Sequence, residues 1–301
     1  MLLFIGISAM AQEKTYWVEL DEKEGLVYKN DTLFSGAVAD YEGKRMSWTG
    51  TYKAGKEHGF HVWYYPNGKI KTAGNYFEGK EDGAWEYWYQ NGRTEIMEHY
   101  NKGVPDSTWL YFDKSGWVVG EGDFVDGLKS GTWTKGLLKK GNYSECGFMK
   151  GKKHGQYIAY HPSRGIAEKG AYENGKMIET WVSYNKKGVE TGGGTIDKSG
   201  NGKLVYKELA DNKTQEFVVE NGMITSEVWL YSDGQKSASV KYKDGVEEGP
   251  AFWWYEDGTL QTEGQYKNGE YDGIFTYYLK NGEKKGIRKY KDGLLLEIVK
   301  E

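Results

Sequence analysis

The chain has a single cysteine, four prolines among 301 residues, and no helical apolar period sustained over several turns. One cysteine, Cys146, excludes an intramolecular disulfide, and its second-strand position points to an inert, partly buried thiol. Charge of one sign is not in excess either: 40 Lys and Arg stand against 44 Asp and Glu, with acids and lysines interspersed through every turn. That balance gives no basic face for nucleic acid and no strong attraction to an anionic membrane surface. Catalytic grammar is missing as well. No Ser/His/Asp or Cys/His constellation stands out, and the glycine-rich Gly120 to Gly127 is not followed by a helix whose N-terminus could cradle phosphate. His58 and His154 fall at the same place in units four repeats apart, too distant to share a metal, so they are expected to be solvated turn residues. No third ligand with recurrent spacing accompanies His58 and His61, or His154 and His161. Acidic residues are abundant, but neither a singled-out pair nor an enclosing pocket is expected, so no catalytic residue, metal or cofactor is assigned.

What the sequence has in plenty is glycine (43), tyrosine (25) and tryptophan (12), and these recur with a period. Units begin at Ser35, Gly59, Gly83, Ser107, Gly131, Gly155, Glu179, Gly202, Thr225, Gly249 and Gly273, in steps of 24 residues with two of 23. Twenty positions into a unit stands a glycine, as at Gly55, Gly79, Gly103 and Gly293; the seventh unit alone departs, with Ser199. Seventeen positions in, the residue is aromatic in nine units and β-branched (Ile196, Val219) in two. A fixed period of this length is the mark of a repeat array, and it sets the fold before any motif is read.

Each unit reads as a β-hairpin. An aromatic run leads into Asn67-Gly68, Asn91-Gly92, Asp257-Gly258 or Asn281-Gly282, dipeptides that tolerate positive φ in tight turns. A second strand follows, and the glycine at twenty opens the turn to the next unit. Along the first strand, Trp85 and Tyr87 point one way while Leu110 and Phe112, like Phe252 and Trp254, occupy positions pointing the other. Both faces therefore carry apolar bulk. The expected fold is all-β: an elongated antiparallel meander of about eleven hairpin repeats of 23–24 residues, in a single-layer or gently rolled sheet without one deep pocket. A lead-in strand segment occupies residues 12–34, the array runs over 35–296 with degenerate units around 179–225, and 297–301 form the C-terminal end, where an exposed edge would invite pairing with another chain.

The unit G-x-W-x-Y-Y-x-N-G followed by G-x-Y-x-x-G-K resembles the MORN repeat, specifically the variant repeat of bacterial proteins labelled the antitoxin component of a toxin–antitoxin system. The resemblance covers residues 25 to 296, with Gly25 to Gly36 similar to that family's lead-in. It implies scaffolding and partner binding and, for some eukaryotic members, association with membrane lipids. Ahead of it, residues 1–11 form a short apolar stretch ending Ala9-Met10-Ala11, which reads as a signal peptide cleaved before Gln12, although no basic residue precedes it, as in a start placed too far downstream. The reading that follows is a non-enzymatic scaffold binding a protein partner in the periplasm or outside the cell. Its contact residues are expected where aromatics are densest: Trp63, Tyr64, Trp85, Trp88, Trp109, Tyr111, Trp253, Trp254 and Tyr255. The same rings could instead hold the sheet together. Two alternatives stand beside it: a cell-surface glycan-binding module, whose hairpins such as Gly131 to Gly136 resemble choline- and wall-binding repeats, and a cytoplasmic antitoxin-like binder of a partner toxin if residues 1–11 are not a signal.

Overall fold

A computed structural model describes residues 15–162, 165–208 and 213–299, so the apolar stretch 1–11 lies outside the described residues. Strand makes up 70% of the chain and helix 2%, in an antiparallel meander of hairpins. Two compact units divide it, Met1–Lys139 and Lys140–Glu301. Within each, a strand pairs antiparallel with the strands before and after it, as Lys80–Trp88 does with Ile70–Phe77 and Thr94–Asn101.

Two kinds of turn alternate, and they use glycine differently. At the junctions between repeats, pairs such as Glu78-Gly79 (φ 52° and 79°) and Lys102-Gly103 (φ 50° and 83°) are both left-handed. This is the type I′ geometry, whose twist matches that of the flanking strands. Inside the repeats, the Asn-Gly dipeptides depart from expectation, because only the glycine is left-handed, at Gly68 (φ 80°) and Gly92 (φ 89°). There the Gly68 N–H donates to the Tyr65 carbonyl and the Tyr65 N–H to the Lys69 carbonyl, both at 2.8 Å. The result is a three-residue loop, a type I turn closed by a left-handed residue. Asparagine is there for another reason: Asn67 Oδ1 accepts the Lys69 N–H at 3.1 Å, which locks the loop through its side chain.

The glycine read as each unit's start lies inside a strand. Gly83 (φ 75°) sits in Lys80–Trp88, where the register steps from Asp82 opposite Asn75 to Trp85 opposite Gly74. This bulge re-aims the strand just before its buried tryptophan. The residue ahead of the bulge is not a solvated turn residue, as His58 and His154 were expected to be. Asp82, Asn201 and Glu248 accept the backbone N–H of Lys102, Asn221 and Asn268, at 3.1, 3.0 and 2.8 Å, and so brace the first residue of the next junction turn. His58 at the same position is half-buried against Phe77, its ring 5.4 Å away, and Nδ1 of both His58 and His154 is shut off from solvent.

The lead-in segment covers the edge of the first repeat. Thr15–Tyr16 runs parallel to Gly36–Glu42, and three short strands, Asp21–Lys23, Leu26–Lys29 and Thr32–Leu33, form a separate small sheet. Val27, Phe34, Val38 and Tyr52 make its core, with Trp17 packed edge-on against Trp48 at 5.4 Å. Among the described residues the last strand, Leu294–Val299, pairs with Lys284–Lys291 alone, and Leu294, Leu296 and Ile298 are 70%, 59% and 55% exposed. The degenerate stretch keeps its strands, Lys176–Tyr184, Glu190–Ile196, Gly202–Glu208 and Lys213–Glu220. Aliphatic residues replace rings there: Ile196, Leu204 and Val219 pack with Met177 and Trp181. Across this stretch the Met177 N–H reaches the Gly222 carbonyl at 2.8 Å, a contact across 45 residues.

Candidate functional site

One column of buried side chains stands two positions into the units. His61, Trp85, Trp133, Trp181 and Phe275 stand there, each with at most 8% of its surface exposed. Facing them from the preceding repeat, fifteen positions in, are Gly50, Gly74, Gly122, Gly170 and Gly264, where a Cβ would fall inside the ring. The backbone is thinned so that the ring can lie on it. In two units without that glycine the ring is absent as well, with Val240 paired to Ala251 and Phe217 to Glu227, whereas Tyr157 keeps its ring opposite Cys146 and Trp109 keeps its ring opposite Glu98. At these five pairs of glycine and ring the two are halves of one packing device. Residues at position seventeen interleave with the column, as in Tyr52, His61, Tyr76 and Trp85, whose successive ring centroids are 5.8, 4.9 and 5.0 Å apart. Trp85 and Trp133 each donate an indole N–H to a carbonyl of the preceding repeat, Asn75 and Asp123, at 3.1 Å.

His61 is 1% exposed and enclosed by Trp48, Tyr52, Trp63 and Tyr76. Burial lowers its pKa, so the imidazole is neutral, and Nδ1 lies 3.2 Å from the Gly59 carbonyl. Cys146 takes the place of the glycine opposite Tyr157, and burial pushes its thiol up. Among the described residues, no group of three or more His, Cys, Asp and Glu is placed to hold a metal.

The nine aromatic residues singled out in the sequence do not share one surface. Trp85, 2% exposed, is part of the internal column. Trp63 leans on it at 5.9 Å and is half-buried, while Trp109, Tyr111 and Trp253 occupy positions of the same face. Trp109 faces Glu98 rather than a glycine and is likewise half-buried. Tyr64, Trp88 and Trp254 stand five positions into their units and point to the opposite face, all half-buried. Tyr255 lies at the loop, and its hydroxyl donates to the Tyr278 carbonyl of the next repeat at 2.9 Å. Tyr65, Tyr89 and Tyr231 make the same rung to Trp88, Phe112 and Trp254, at 2.7, 2.7 and 2.6 Å.

The structure also contains a cavity that the sequence reading did not expect. In the second unit a depression of about 380 Å³ opens over Met177 and Leu204. Its walls are Tyr157, Tyr172, Trp181, Tyr206 and Phe217. Tyr172 and Trp181 meet edge to face at 5.1 Å, and so do Tyr206 and Phe217 at 5.8 Å. Glu168 projects into it and accepts the Tyr206 hydroxyl at 2.8 Å. Burial raises the carboxyl pKa despite that bond, and among the described residues it forms no ion pair.

The model of the MORN repeat variant matches residues 57–77 and 247–268, one hairpin in each unit. Each segment holds a ring or alanine at position two, a loop tyrosine, and the glycine and tyrosine at fifteen and seventeen: Ala251, Tyr255, Gly264 and Tyr266 in the second. These matches support a MORN-repeat protein, and they carry no support for the antitoxin label. No curated protein matches the chain.

Proposed function

We propose that the chain is a non-enzymatic scaffold that binds a protein partner at the bacterial envelope through aromatic side chains outside the internal column. Repeat modules of this type generally serve protein or membrane interaction. The observation that carries the proposal is the row at position five: Tyr64, Trp88 and Phe112 in the first unit, and Tyr160, Tyr184, Leu230, Trp254 and Tyr278 in the second. Each is half-buried, and within each unit neighbours are one repeat apart except Tyr184 and Leu230, between which Lys207 takes the position. With strands ~4.8 Å apart and two strands per repeat, neighbours in the row fall ~10 Å apart. Large aromatic side chains, which make up the row apart from Leu230, dominate interface energetics. The envelope setting rests on residues 1–11 of the sequence.

The test is affinity capture from cells, comparing the full chain with a Trp88→Ala/Trp254→Ala variant of unchanged melting temperature. Loss of the captured protein from the variant supports the reading. An unchanged set of captured proteins contradicts it. Retention on wall polysaccharide that disappears in the same variant would transfer the row to a glycan ligand.

A further inference from the structure

The aromatic depression of the second unit is chemically different from the outward row. Its floor is apolar and buried, Met177 at 7% and Leu204 at 1% exposed. Its walls present ring faces and edges from five strands, and its volume of about 380 Å³ falls within the ~300–1,000 Å³ of small-molecule sites. One charge enters it. Glu168 hydrogen-bonds the Tyr206 hydroxyl and forms no ion pair among the described residues. The other buried acid nearby, Glu227, is already satisfied, accepting Gln215 Nε2 at 2.5 Å and the Tyr242 hydroxyl at 2.7 Å. At the mouth, the exposed Lys153 ammonium lies 4.6 Å from the centre of the Tyr172 ring. It also donates to the Tyr172 hydroxyl at 3.4 Å, so a cation already stands at the hydroxyl end of a ring of this box.

We propose that this depression binds a small organic cation bearing a methylated ammonium group. Ring faces attract such a cation through their quadrupoles and its methyl groups fill apolar space, which is how aromatic cages take quaternary ammonium. Glu168 supplies the counter-charge, and the cation removes the cost of an unpaired carboxylate in a desolvated setting. Lys153 stands at the entrance as a competitor. The site is independent of the outward row, so failure of partner capture leaves it untouched.

The experiment is calorimetric titration of the full chain with choline and with its uncharged isostere 3,3-dimethylbutan-1-ol. Choline is expected to saturate one site, and the alcohol to bind at least about tenfold more weakly, since a charge–ring or charge–carboxylate contact of ~1.4 kcal/mol is one decade. Glu168→Gln should weaken choline by a similar factor while melting no lower than the parent, because it removes a buried charge and keeps the shape. Lys153→Gln should tighten binding. A trimethyllysine peptide titrated in parallel distinguishes a protein-borne cation from a free one by which of the two binds more tightly. Equal affinity for the alcohol, no saturable binding of choline, or choline affinity unchanged in Glu168→Gln would each overturn the proposal. Should Glu168→Gln fail to fold, the isostere comparison and Lys153→Gln still decide it.

Discussion

The pairing of Gly74 with Trp85 makes a quantitative prediction, because the array contains its own compensated variant. Val240 opposite Ala251 is the same site with the bulk moved from the ring to the backbone partner, and Ala251 is 0% exposed, so the exchanged pair also fills its space. Introducing Gly74→Val alone forces a branched side chain into the Trp85 indole. Overpacking of this kind costs ~1–3 kcal/mol and at times more. Trp85→Ala alone empties a site whose ring is 2% exposed and loses the indole bond to the Asn75 carbonyl. Truncations of that size cost ~3–5 kcal/mol. Were the two independent, the double variant would lose ~4–8 kcal/mol. If they form one device, valine occupies part of the space the indole leaves, the clash disappears, and the double variant recovers at least ~1 kcal/mol of the sum, within the range of coupled contact pairs. Urea unfolding followed by far-ultraviolet circular dichroism reads this directly, because the signal does not depend on the tryptophan removed. A double variant whose loss equals the sum within about 0.5 kcal/mol, the scatter of independent sites, would refute the pairing.

Other expectations follow from single contacts. Glu78 holds φ 52° in a junction turn where asparagine is better tolerated, so Glu78→Asn should stabilise by ~0.5–1 kcal/mol in the same urea assay. Tyr255→Phe removes the rung to the Tyr278 carbonyl and should cost ~1 kcal/mol, whereas no loss would show that the rung is not a stabilising bond. His61 has a folded pKa below that of the unfolded chain, which is ~6.5. Its contribution to stability is complete above that value and is lost as pH falls from it towards the folded pKa, because there the unfolded chain binds the extra proton. The stability difference between wild type and His61→Phe should therefore be flat above pH ~6.5 and shift against wild type below it; a flat difference down to pH 5 would contradict a buried neutral imidazole. At the exposed edge, Leu296→Lys should leave melting within ~0.5 kcal/mol and reduce concentration-dependent association measured by light scattering.

The array itself was legible because its signals are local. The glycine at position twenty and the aromatic at seventeen recur within one hairpin, and both have the structural meaning their spacing suggests. The glycine at position fifteen carries a signal of the same kind, at Gly50, Gly74, Gly122, Gly170 and Gly264. Its purpose appears only across repeats, where the ring it accommodates stands 11 residues later in register. The Asn-Gly loops were misjudged for a different reason. The dipeptide serves both a two-residue and a three-residue turn, and only the strand pairing decides between them. The aromatic list mixed buried and open rings because alternation along a strand separates faces but not depth. Trp85 is interior since Gly74 makes room for it, while Trp109, opposite Glu98, is only half-buried. The cavity could not be seen at all. Glu168 and Tyr206 are 38 residues apart, and only the folded strands bring them within hydrogen-bond distance.

The division of the tryptophans between column and open positions is the point on which both the packing and the functional reading rest. Hydroxyl-radical footprinting of the native chain, with oxidation of each tryptophan measured by mass spectrometry, tests it residue by residue. Trp85, Trp133 and Trp181, at 2%, 8% and 3% exposure, should stay protected until the chain unfolds, while Trp117, at 43%, oxidises readily and Trp88 and Trp254 at intermediate rates. Oxidation of Trp85 and Trp181 in the native state as fast as that of Trp117 would contradict the internal column, and with it the assignment of the outward row to a partner.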